Sequence, residues 1–237
     1  MIFFSQIKAL VLRAQRHLLR YLYPGIKKNL LWLEFIVFYL VLPLIFAYNR
    51  KSSPVVYIVV LSLIGFIILF KDNEFSNKIF FNRNALLSDF PRIAAIFLFV
   101  TALLLLLTYT FYPEYLFFCI KNHFSIWCSL MVYYPLILVY PQELLYRAFI
   151  FHRYSPLFSS EKSVMHLSAA AFSFGHIIYF HPVSMILTFF GGYLFAYTYA
   201  KTRSLLLVSI EHALYGCLLY TIGLGRFFYT GFEKLLI

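Results

Sequence analysis

Long apolar runs broken by short charged stretches organise this chain. They fall near 30–48, 55–70, 93–112, 124–141 (continuing towards 151), 164–180, 183–200 and 204–222, and all but the second are as long as a helix that crosses a bilayer. The pattern predicts an all-α fold, a polytopic transmembrane bundle of about seven spans. The 16-residue second run is marginal for a hydrocarbon core of roughly 30 Å. Strands alternating polar and apolar residues, the mark of a transmembrane barrel, are absent.

Composition agrees with the pattern: 62% of the 237 residues are hydrophobic and only 12% charged, which excludes a single soluble domain. The net charge of +11 signals topology before nucleic acid, because the Lys and Arg residues flank the apolar runs. With the N-terminus inside, the outer segments keep only Arg50, Lys51, Lys121, Arg226 and Lys234. The expected topology is therefore N-terminus cytoplasmic and C-terminus outside. Residues 5–22 set Arg13, Arg16 and Arg20 opposite an apolar stripe, the pattern of a basic surface helix that contacts membrane lipid. The basic start lacks a small-residue cleavage site and is expected to stay attached. A compact chain of this kind suits a bacterial inner membrane.

The expected organisation is a basic segment over 1–29, N-terminal transmembrane helices over 30–119, a functional core over 120–225 and a tail over 226–237. The stretch 71–92 is the only connection long enough for a separate surface helix. Cys119, Cys128 and Cys217 show neither disulfide nor zinc-knuckle spacing.

Ionisable groups inside a bilayer are costly, so each one within a span is a functional candidate. These are Glu34, Glu143, Arg147, His176, Glu211 and His212, whereas His17, His123, His152, His166 and His181 read as interfacial. Glu143 and Arg147, four apart, share a helix face as a potential ion pair. Phe172 and His176 repeat the spacing. Ala169 to Ala171, Gly175, Gly191 and Gly192 would let helices approach closely. Glu211 and His212 point about 100 degrees apart, so only one of them aims at a given site. His212 shares its face with Gly216. A carboxylate paired with an imidazole can hold and deprotonate a water, and a second imidazole can donate to the oxyanion of amide hydrolysis. The same groups, Glu143, His176 and His212, could instead ligate zinc with an open position for water.

In order along the chain, these residues resemble the motifs EExxxR, FxxxH and HxxxN/D of the CPBP family, the CAAX prenyl endopeptidase and bacteriocin-processing (Abi) group of intramembrane proteases. The matches are Gln142 to Arg147, Phe172 to His176 and His212 to Gly216, within roughly residues 120–225. The resemblance implies a helical fold with a polar cavity inside the bilayer, a membrane-associated peptide or protein substrate, and a glutamic mechanism without metal or other cofactor. Two positions depart from it. Gln142 stands where the family has its water-activating Glu, and Gly216 where it has an oxyanion-binding Asn or Asp. The leading reading makes Glu143 the base after a small helix rotation, with His176 as its partner, Gln142 polarising the scissile carbonyl and His212 filling the oxyanion role. The alternatives are a degenerate relative that binds a membrane partner without cutting it, and a proton-coupled transporter, against which the lack of repeat-related halves counts. Nothing in the sequence selects the substrate or the oligomeric state.

Overall fold

The computed structural model describes residues 25, 27–49 and 54–228. The expected basic helix over 5–22 and the tail residues 229–237 lie outside the described residues. Helices and short connections make up what is described, and no strand is present among those residues. The seven principal helices are α1 (Lys27–Tyr48), α2 (Pro54–Phe70), α3 (Arg83–Phe111), α4 (Phe124–Arg153), α5 (Glu161–Gly175), α6 (Pro182–Thr202) and α7 (Leu205–Ile222).

Five of them, α1, α3, α4, α6 and α7, are long and apolar enough to cross a membrane, and α2 is apolar but shorter. Exposed side chains such as Leu98, Phe99 and Leu106 give α3 a lipid-compatible outer face. The protein is an integral membrane protein. The expected span over 164–180 is corrected: α5 ends at Gly175, a 3-10 turn covers His176–Tyr179, and Phe180 takes a left-handed conformation at φ 51. His181 then starts α6, accepting the Val183 N–H at 3.2 Å just ahead of Pro182.

The third span begins ten residues earlier than the apolar run suggests. Asn82 caps it by accepting the Ala85 N–H at 3.2 Å. Its first turns carry charge because that charge is paired. Asp89 receives Arg92 at 2.6 Å and Lys201 of α6 at 2.5 Å. The 71–92 stretch therefore holds a 3-10 turn at Asn77–Ile79 and the start of α3 rather than a separate surface helix.

Prolines shape α4 most strongly. Pro135 and Pro141 lack an N–H, and each ring crowds the carbonyl four residues back. The helix responds by widening into π-helical turns at Tyr134–Val139 and Leu144–Phe149, with the Tyr140 N–H reaching back to the Pro135 carbonyl. Wide turns leave carbonyls short of partners, which lipid cannot supply. Hydroxyls from three other helices donate to them: Ser62 of α2 to Pro141 O at 2.7 Å, Tyr39 of α1 to Leu145 O at 2.8 Å, and Ser168 of α5 to Tyr146 O at 2.8 Å. These bonds fix α4 in rotation as well as in position.

The end of α4 is tied down by charge. Arg153 pairs with Glu34 of α1 at 2.9 Å, and the Tyr154 hydroxyl donates to the same carboxylate at 3.0 Å. Glu34 thus has a structural partner. His152 meets Asp72 at 2.9 Å, and this hydrogen bond, aided by the Glu74 N–H, holds the Asp72 carboxyl below its ordinary range.

Replacing Tyr39 by Phe keeps the ring but leaves the Leu145 carbonyl without its donor. It should destabilise the protein by about 0.5–1.5 kcal/mol, the range for interhelical hydrogen bonds in membranes, read as a lower unfolding midpoint in detergent.

Candidate active site

At the centre of the bundle, Glu143 and Arg147 are both fully buried on α4. Arg147 Nε lies 3.0 Å from Glu143 Oε2, but its N–H is not aimed at that oxygen, so the contact is ionic rather than a directed hydrogen bond. Arg147 Nη1 donates to Ser168 Oγ at 2.7 Å, and the guanidinium lies over the Phe172 ring at 4.9 Å. The cation is held from three sides.

The other carboxylate oxygen faces α7. Glu143 Oε1 is 2.7 Å from His212 Nδ1, and a carboxylate only accepts, so Nδ1 carries the hydrogen and donates it. His212 stacks on Phe195 at a centroid distance of 4.6 Å, with Phe172 edge-on at 5.3 Å. Its Nε2 lies 3.0 Å from the Tyr134 hydroxyl on the first π-turn of α4. Glu143, His212 and Tyr134 therefore form a continuous chain of contacts.

His176 sits at the end of α5, with Nδ1 2.7 Å from the carbonyl of Phe172. A carbonyl accepts, so this nitrogen too carries hydrogen, and a neutral ring keeps its lone pair on Nε2. The Phe172 ring contacts both imidazoles, at 4.7 Å from His176 and 5.3 Å from His212. Gln142, Tyr134, His176, His212 and Thr188 supply the polar wall of a cavity of about 190 Å³, and the rest of the wall is mainly apolar. Phe190, exposed on the outside of α6, also lines it and marks where it meets the lipid side.

All five residues singled out in the sequence come to this one region, with one change of partner and one of facing. Glu143 pairs with His212 rather than with His176. It is Gln142, one step and about 100 degrees round the helix, that faces the cavity, while Glu143 is sealed behind it. Glu211 faces elsewhere: it is buried beside Thr198, which accepts from Arg92 at 2.7 Å, and neither of its oxygens meets a donor in hydrogen-bond geometry.

Small residues close the packing. A Cβ on Gly192 would come within 2.9 Å of Phe172 and 3.3 Å of the Ala169 backbone, so the α5–α6 approach expected from the glycine pair rests on Gly192. Gly191 meets only Phe195 of its own helix, at 3.5 Å. A Cβ on Gly175 would overlap the Tyr146 hydroxyl, and one on Gly216 would overlap the Tyr134 ring and hydroxyl. Tyr134 was not singled out in the sequence. Among 20 tyrosines its signal is indirect, a glycine four residues after His212 that leaves room for a ring from another helix.

Among the described residues no three His, Cys, Asp or Glu side chains gather as a ligand set for a metal ion.

Fold and site together define a helical membrane protein with an acid–imidazole cluster beside an intramembrane cavity. Residues 122–218, which span all five positions and Tyr134, match the family model described as Type II CAAX prenyl endopeptidase Rce1-like, a match that supports CPBP family membership. Comparison with curated proteins and with solved structures gives no match.

Gly175→Ala should destabilise the protein by about 1–3 kcal/mol through overpacking against Tyr146. Adding Tyr146→Phe removes the overlapping oxygen and should recover most of that loss, which unfolding of the single and double variants in detergent measures.

Proposed function

We propose that the protein is an intramembrane endopeptidase that hydrolyses a peptide bond of a membrane-associated substrate with water activated inside the cavity. The observation that carries this reading is that His212, held by Glu143 at 2.7 Å from behind, lines one cavity together with His176 and Gln142. The lipid-side position of Phe190 and the mostly apolar wall favour a substrate presented from the membrane, and the CAAX prenyl endopeptidase description of the matched family makes a prenylated tail one candidate class. The flanking basic residues favour an N-terminus inside, in a bacterial inner membrane.

His176 is the base in this reading. Its neutral Nε2 takes a proton from water as the water oxygen attacks the scissile carbonyl carbon, and it returns the proton to the leaving nitrogen as the C–N bond breaks. The Gln142 amide donates to the carbonyl oxygen as that oxygen gains charge. Glu143, closed off from the cavity, is a positioning residue: it fixes the tautomer and ring angle of His212. Arg147 lies against that carboxylate and offsets part of the cost of burying it. No step needs a metal. The full burial of Glu143 also favours a second reading, a partner-binding protein that does not cut.

The deciding experiment compares new peptide termini in membranes carrying the unmodified protein or a His176→Ala variant at matched abundance. Termini unique to the unmodified protein, lost by 10²-fold or more in the variant, are expected from removal of a general base. Identical termini, with the same proteins co-purifying with both forms, would leave the binding role. Cleavage should persist in strong chelator. Gln142→Glu replaces a donor with an acceptor and should lower turnover at least tenfold, whereas a gain would return the base role to position 142. Arg147→Ala strands a buried carboxylate and should lower abundance, by about 3–5 kcal/mol of stability.

A further inference from the structure

We infer that Tyr134 is a catalytic residue of this site, donating its phenolic proton in a hydrogen bond to the substrate carbonyl oxygen as that oxygen becomes an oxyanion. The role rests on the protease reading above and adds a residue to it.

The geometry is specific. Tyr134 enters the cavity from the first π-turn of α4, where Pro135 forces the helix wide, and its hydroxyl meets His212 Nε2 at 3.0 Å. Behind His212 stands Glu143, 2.7 Å from Nδ1. Because Nδ1–H is committed to the carboxylate, the neutral imidazole offers Nε2 only as an acceptor, and Tyr134 then donates to it. When a substrate carbonyl oxygen in the cavity gains charge it becomes a stronger acceptor than Nε2, and the phenolic O–H turns from His212 to that oxygen. Glu143 holds the His212 ring in place behind it, and Tyr134 acts as a neutral, directed donor. No covalent bond to Tyr134 forms or breaks, and the proton taken from water still returns to the leaving nitrogen through His176.

The space for this ring is built into α7. A Cβ at position 216 would overlap the Tyr134 ring and hydroxyl, so Gly216 and Tyr134 are a matched pair. The ring is further held edge-on by Tyr220 at 5.4 Å. Any side chain at 216 would grow into the volume where the hydroxyl now sits, so a short donor there could replace the phenol only if the phenol were removed.

The test is a set of four proteins assayed for kcat and KM on a substrate found by the terminus comparison: unmodified, Tyr134→Phe, Gly216→Asn, and Tyr134→Ala with Gly216→Asn. Tyr134→Phe keeps the ring that Gly216 accommodates, so its abundance should hold. Its kcat should fall about 10²-fold with KM within about twofold, the signature of a lost oxyanion donor. Gly216→Asn alone should fold poorly. The double variant should regain abundance and at least tenfold of the kcat lost by Tyr134→Phe, since the amide donates from the same place; a merely space-filling Tyr134 would not produce that recovery. A Tyr134→Phe protein cutting at the unmodified rate, or a double variant no faster than it, overturns the role alone. If the unmodified protein and His176→Ala give the same termini, the protease reading falls and this role with it.

Discussion

A carboxylate and a guanidinium buried together in an apolar bundle constrain everything around them. Neither Glu143 nor Arg147 has any exposed surface, and taking either from water alone would cost several kcal/mol. Their mutual attraction offsets this only if the remaining polar atoms are engaged. That requirement brings in Ser168 under one guanidinium nitrogen, the Phe172 ring over the cation, and His212 against the second carboxylate oxygen. The helices that supply those groups, α5 and α7, are thereby fixed against α4, and the cavity is the space left between their polar edges and α6.

The same helix that carries the pair is the least regular in the bundle. Prolines widen α4 twice, and each wide turn frees carbonyls that lipid cannot bond. Hydroxyls from α1, α2 and α5 meet that need, so the irregularity is what ties the other helices to α4. It also turns Gln142 and Tyr134 towards the cavity and Glu143 away from it. Irregular backbone and chemistry occupy the same few turns, as is common for π-helical segments.

This explains which parts of the site were legible in the sequence. Apolar run length located α1, α4, α6 and α7 well, and the spacing of four between Glu143 and Arg147 gave a true pair, because it is a local property. Partners across helices were less accessible. The reading built on the resemblance gave Glu143 His176 as its partner, whereas the packed helices set His212 against it, a contact that no spacing within α4 expresses. Tyr134 was hidden because a tyrosine in an apolar run looks like ordinary bundle packing. The end of α5 was missed because 164–180 is uniformly apolar, while the break comes from the backbone turn at His176–Phe180. The early start of α3 was missed because its charges are neutralised by α6, a helix more than a hundred residues away.

The short α5 has a mechanical consequence. Its 15 residues rise about 22 Å, against a hydrocarbon thickness of roughly 30 Å, and His176 stands where it stops. A membrane settling around helices of unequal height is squeezed where the shortest one lies, and headgroups and water are drawn down towards that point. A helical segment arriving from the lipid there would lose part of the apolar solvent that keeps its backbone wound. The local depth of the membrane beside the cavity is thus set by where one helix ends.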